Sequence, residues 1–77
     1  MDMWTFKTPR GVFGIVQKDG RFHAMFGSEH LGAYATPRQA LDDLVNGHTL
    51  SLSNGLDSSE AGLPDDLSEW TYLRIGA

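Results

Sequence analysis

The stretch Leu31-Gly-Ala-Tyr-Ala-Thr-Pro-Arg-Gln-Ala-Leu-Asp-Asp-Leu-Val-Asn-Gly47 decides how the chain is read. Its first part alternates. Leu31, Ala33 and Ala35 interleave with Gly32 and Tyr34, the period of two that marks a β-strand. Its second part repeats at helical spacing, with Ala40, Leu41, Leu44 and Val45 forming one apolar face. The change of period is chemically marked. Thr36 is a good N-cap, Pro37 fits a first helical position that needs no N–H, and Gln39 occupies the capping-box position. Asn46-Gly47 supplies a left-handed stop. A strand running straight into a helix over Pro37–Asn46 is therefore predicted.

Towards the N-terminus, Asp19-Gly20 lies between two runs of β-formers and predicts a two-residue hairpin. Lys18 then pairs with Arg21, Gln17 with Phe22, Ile15 with Ala24 and Phe13 with Phe26. One face carries Phe13, Ile15, Gln17, Phe22, Ala24 and Phe26 and reads as core. The other carries Val12, Gly14, Val16, Lys18, Arg21, His23 and Met25. A slip of one residue would scramble this separation, so the register is well specified. Thr8-Pro9-Arg10-Gly11 reads as a turn after a first strand containing Trp4 and Phe6. Gly27-Ser28-Glu29 reads as the next turn, followed by a strand over His30–Ala35.

Beyond the helix the signals thin out. Thr49–Ser53 alternates, Asn54–Gly62 reads as a turn-rich surface loop, and Leu63–Glu69 as a single helical turn. Trp70–Ile75 is a last strand with period two. Met3–Lys7 and Glu69–Leu73 echo each other, as neighbouring strands of one sheet would. The expectation is one α+β domain over residues 1–77, a three- to four-stranded antiparallel meander packed on one helix. Residues 10–47 form its core, 48–69 a loop-rich segment and 70–75 a terminal strand.

A chain of 77 residues buries only about 60% of the surface it exposes when unfolded. It has no cysteine, so neither a disulfide nor a thiolate metal site supports it. Self-association is the remaining way to bury more surface. The cysteine-free composition suits a reducing cytoplasm, the expected location. No apolar run approaches the roughly 20 residues that span a bilayer, and Met1-Asp2-Met3-Trp4 lacks the basic and apolar parts of a signal peptide. No membrane association is expected.

The net charge of −4 is unevenly spread. Residues 1–41 hold Lys7, Arg10, Lys18, Arg21 and Arg38 against Asp2, Asp19 and Glu29. Residues 42–77 hold Asp42, Asp43, Asp57, Glu60, Asp65, Asp66 and Glu69 against Arg74. The acidic half reads as a solvated surface or a docking face for a basic partner.

Catalytic signals are sparse. His23, His30 and His48 share no helical spacing, so a metal site among them, with Glu29, would need the fold to assemble it. Asp42 and Asp43 are adjacent on a helix and point about 100° apart, so they do not share a proton. No nucleophile elbow, phosphate loop or dinucleotide fingerprint is present. The expectation is a non-catalytic domain without a metal or cofactor that binds a protein partner or a second copy of itself. Trp4, Trp70 and Tyr72, in the terminal segments, are the candidate contact residues, because aromatic anchors dominate interface energetics. The competing reading has the two terminal strands pairing and closing the core, with Lys7 and Arg74 on the outer edge.

Arg10-Gly11-Val12, Gly20-Arg21-Phe22-His23-Ala24, Leu31-Gly32-Ala33-Tyr34-Ala35-Thr36 and Arg38-Gln39-Ala40 occur in that order. This resembles the AP2/integrase-type DNA-binding domains over Arg10–Gly47, and is similar to small bacterial domains without known activity. The resemblance implies a three-stranded sheet packed on a helix, with the opposite sheet face entering the DNA major groove. It puts Arg10, Lys18, Arg21 and His23 forward as nucleic-acid contacts. Phe13-Gly14-Ile15-Val16 stands where that family has an arginine-rich strand, and the acidic chain lacks the usual basic surface. DNA binding is therefore the alternative function and protein binding the first.

Overall fold

The computed structural model describes residues 1–49 and 58–74. It contains β1 (Asp2–Thr8), β2 (Gly11–Lys18), β3 (Arg21–Phe26), β4 (Glu29–Tyr34), helix α1 (Pro37–Asn46) and β5 (Thr71–Arg74). Short 3₁₀ turns cover Ser58–Glu60 and Leu67–Glu69. The alternation at 50–53, the first part of the predicted loop and Ile75 lie outside the described residues.

The strands form one antiparallel sheet in the order β4-β3-β2-β1-β5. This is an α+β fold, a meander of β1 to β4 with α1 on one side and β5 added beside β1. The predicted β2–β3 register is the one observed, from Lys18 opposite Arg21 to Phe13 opposite Phe26. Asp19 and Gly20 both have positive φ, 54° and 76°, which suits the twist of a two-residue hairpin. The echoing terminal segments are indeed neighbours, with Trp4 opposite Tyr72 and Thr5 opposite Thr71.

The helix ends follow their sequence signals. Thr36 Oγ1 accepts from Gln39 N at 3.2 Å. Gln39 Oε1 reaches back to Ala35 N, one residue before the donor of a standard capping box, also at 3.2 Å. At the other end Gly47, with φ 72°, donates to Leu44 O, and His48 N donates to Asp43 O at 2.9 Å. That pair of bonds is a Schellman motif.

Two readings of β4 need correction. The turn before it is only Gly27-Ser28, so the strand begins at Glu29 and ends at Tyr34 rather than running over His30–Ala35. The strict alternation of Leu31, Ala33 and Ala35 is also broken. An irregularity opposite Ala24/Met25 inserts Leu31 as an extra residue, with Met25 opposite His30 and Ala24 opposite Gly32. A bulge of this kind re-aims side chains. Leu31 therefore enters the core beside Tyr34, while Ala33 and Ala35 are exposed. Tyr34 lies across Gly32, where an added Cβ would come within 2.8 Å of the phenol oxygen.

The core lies between the sheet and α1, which covers β2, β3 and β4. Phe13, Ile15, Ala24, Leu31, Ala40, Leu41 and Leu44 are buried there. Over β1 the cover comes from the C-terminal segment instead, where Leu63 and Trp70 join the same cluster and Trp4 and Phe6 pack against it. Ser58 ties that segment to the helix, its buried hydroxyl donating to Leu44 O at 2.7 Å.

Tyr34 on β4 interacts with the Asp43 carboxylate on α1. Partial burial and the interaction with that carboxylate push its phenol up to about 12 from the usual 10.0. The fold favours the neutral phenol. Its contribution to stability is full below pH about 10 and is lost as pH rises towards 12. Denaturant titrations across that window should show the decline in the wild type and a flatter profile in Tyr34→Phe. Equal slopes would remove this assignment.

Candidate functional site

The strand registers place Met3, Thr5, Lys7, Val12, Gly14, Val16, Lys18, Arg21, His23, Met25, His30, Ala33, Thr71 and Leu73 on the sheet face opposite α1. Among the described residues no element covers this face, and none of the residues it presents is Asp or Glu. The carboxylates of the described strands and helix lie elsewhere. Asp2 and Glu29 point to the α1 side by register, and Asp42 and Asp43 lie on the helix itself. A chain of net charge −4 thus presents a strand face on which, among the described residues, the formal charges are cationic, from Lys7, Lys18 and Arg21.

Between those cations the face is apolar. Met3, Val16 and Met25 are half-buried, and Val12 and Leu73 are exposed by 38% and 51%. A depression of about 300 Å³ lies towards the β2–β3 hairpin, lined by Val16, Lys18, His23, Met25 and His30. His23 Nδ1 and His30 Nε2 are 2.8 Å apart, and His23 Nε2 is 3.2 Å from Lys18 O.

The residues singled out as nucleic-acid contacts divide. Lys18, Arg21 and His23 come together at the hairpin end of the open face. Arg10 sits in the β1–β2 turn, at the opposite end of β2.

The aromatic candidates divide as well. Trp70 is only 5% exposed, packs on Phe6 at a centroid distance of 5.7 Å, and donates from Nε1 to Pro64 O at 3.0 Å. Trp4 is half-buried between Phe22, at 6.2 Å, and Tyr72, at 5.3 Å. Tyr72 is 51% exposed, and its hydroxyl donates to Asp2 Oδ1 at 2.7 Å. That bond raises the Tyr72 phenol above its ordinary range. The accessible apolar part of this edge is Tyr72 and Leu73, on opposite faces of β5.

Other polar groups serve local structure. Asp66 accepts from Ser68 N at 2.9 Å and caps the second 3₁₀ turn, and that bond holds its carboxyl below the usual range. His48 lies exposed just past α1. Among the described residues no group of three His, Asp or Glu side chains is spaced to hold a metal ion. No helix among them is long and apolar enough to cross a membrane.

The pairing of His23 with His30 was not read from the sequence. A three-residue turn over Gly27–Glu29 sets His30 opposite Phe26, on the core face. The shorter turn moves His30 opposite Met25, onto the open face with His23. One residue of turn length changes the face, because side chains alternate strictly along a strand.

Comparison with known protein families, with characterised proteins and with solved structures returns no match.

Proposed function

We propose that this chain is a non-catalytic binding domain whose helix-free sheet face engages a protein partner carrying an acidic and apolar surface. The observation that carries this reading is the segregation of charge. Among the described residues, every Lys or Arg that the strands place on that face stands beside apolar side chains, and the strands place no carboxylate there, the nearby Asp19 lying in the hairpin loop. Complementary charge sets register and association rate, and apolar contact supplies most of the binding energy. A second copy meeting the same face would bring like charges together, which favours a different protein as the partner. A cytoplasmic setting suits the cysteine-free chain.

DNA binding remains the second reading, supported by Lys18, Arg21 and His23 sharing the face that the AP2/integrase resemblance assigns to the groove. Two features weigh against it. Lys7, Lys18 and Arg21 are few against the 6–10 phosphate contacts of a strongly salt-dependent binder. The apolar patch of Met3, Val12, Val16, Met25 and Leu73 also matches no phosphate backbone.

The test compares wild type with the double variant Lys18→Glu and Arg21→Glu. Both sites are exposed, so the fold should persist. A protein captured by the wild type should bind the purified domain directly, with at least tenfold loss in the double variant. No complex with duplex DNA is expected at physiological salt. Equal binding of the captured protein to the double variant would overturn the assignment of this face. A salt-sensitive duplex complex below about 1 μM would exchange the two readings, since non-specific binding is normally weaker.

A further inference from the structure

We propose that His23 and His30 chelate a single copper ion on the open sheet face, with Met25 as a soft third donor. This goes beyond the binding role and does not depend on it.

Proton positions carry the first part of the inference. His23 Nε2 lies 3.2 Å from the Lys18 carbonyl oxygen, which only accepts. Nε2 therefore bears the proton of the neutral ring, an assignment made from the hydrogen-bond network. Nδ1 is left with its lone pair, directed at His30 Nε2 2.8 Å away. Metal-binding histidines are held in this way, one nitrogen donating to a backbone carbonyl and the other free to ligate.

The spacing is that of a chelate. Two nitrogens at about 2.0–2.1 Å from a metal stand about 2.9 Å apart when they subtend a right angle, and about 3.4 Å at a tetrahedral angle. The observed 2.8 Å is a hydrogen-bonded contact, so binding requires the nitrogens to part by up to about 0.6 Å and both rings to turn until their lone pairs converge on the ion. That motion is open to rings near the surface with tilted planes and centroids 5.0 Å apart. Without metal, His30 donates its Nε2 proton to His23 Nδ1. When the ion enters, His30 keeps one proton, moved through solvent to Nδ1, and its Nε2 lone pair turns to the ion.

The donor set selects the metal. Met25 is the cross-strand partner of His30 and lines the same depression of about 300 Å³. Imidazole and thioether donors suit copper, and the reduced ion in particular. Among the described residues the strands place no carboxylate on this face for Ca²⁺ or Mg²⁺, which take oxygen ligands. Lys18 and Arg21 nearby disfavour a doubly charged ion more than Cu⁺.

The experiment titrates the full chain with Cu⁺ under anaerobic conditions against a chromophoric chelator, and separately with Zn²⁺. One Cu⁺ per chain is expected, bound more tightly than Zn²⁺. His23→Gln and His30→Gln should each weaken Cu⁺ binding at least a hundredfold, and Met25→Leu about tenfold. His48→Gln should leave it unchanged. Circular dichroism on the same samples confirms that the variants remain folded, as substitutions at surface imidazoles should allow. Two-bond ¹H–¹⁵N spectra of the metal-free protein should show His23 protonated at Nε2. Overturning results are no one-to-one binding, binding that survives loss of either His23 or His30, or Zn²⁺ bound as tightly as Cu⁺.

Discussion

Trp70→Ala is expected to unfold this domain. The indole is buried against Phe6 in the same cluster as Leu63, and its N–H donates to Pro64 O. Truncation removes the ring, opens a cavity and leaves the Pro64 carbonyl without that partner. Losses of about 3–5 kcal/mol are typical for a buried Trp replaced by Ala. Total stability of small domains starts at about 5 kcal/mol, so little would remain. Trp70 also joins the C-terminal segment to β1, so β5 should detach with it. Circular dichroism and urea titration of the variant measure the loss. Tyr72→Ala is the contrast, since Tyr72 is half exposed and bonded to Asp2 at the edge. It should stay folded and lose about 1 kcal/mol or less. A folded Trp70→Ala chain that sediments as a monomer beside an associating wild type would make Trp70 an interface anchor instead.

Leu44→Ala is expected to cost about 2–5 kcal/mol. Leu44 is fully buried at the centre of the helix face that covers β2 and β3. Its backbone carbonyl also accepts from Gly47 N and from Ser58 Oγ. The side-chain change leaves those bonds possible but removes the packing that holds α1 in place. Leu41→Ala should fall in the same range, because Leu41 is 2% exposed in the same cluster. Urea midpoints with an unchanged m-value would confirm a simple loss of packing. A loss below about 1 kcal/mol would mean that α1 does not cover the core as described.

The binding face was half legible. Lys18, Arg21, His23 and Met25 share one side of the hairpin by parity alone, and the structure keeps them there. The neighbours β1 and β5 were legible from the Thr8–Gly11 turn and from the echo of Met3–Lys7 with Glu69–Leu73, but their registers, and so which of their side chains join the face, were not. Met3, Lys7 and Leu73 join the face through the registers of β1 with β2 and of β5 with β1. The burial of Trp70 was likewise open, because a terminal tryptophan looks the same whether a loop packs over it or not.

By itself, the sequence determined what depends on local chemistry. Thr36-Pro37 and Asn46-Gly47 set the ends of α1 through backbone groups within four residues, and Asp19-Gly20 set the β2–β3 register through its turn. Each rests on interactions short in sequence, which the chain specifies without knowing the rest of the fold. Tertiary structure decided what depends on distant partners. The bulge at Leu31, in the pairing of β4 with β3, lets Leu31 and Tyr34 both face inward, while the two-residue turn before it sets His30 beside His23. The charge of the open face was decided in the same way. Parity assigns a side chain to one of two faces, but only packing determines which face α1 covers and which is left to solvent.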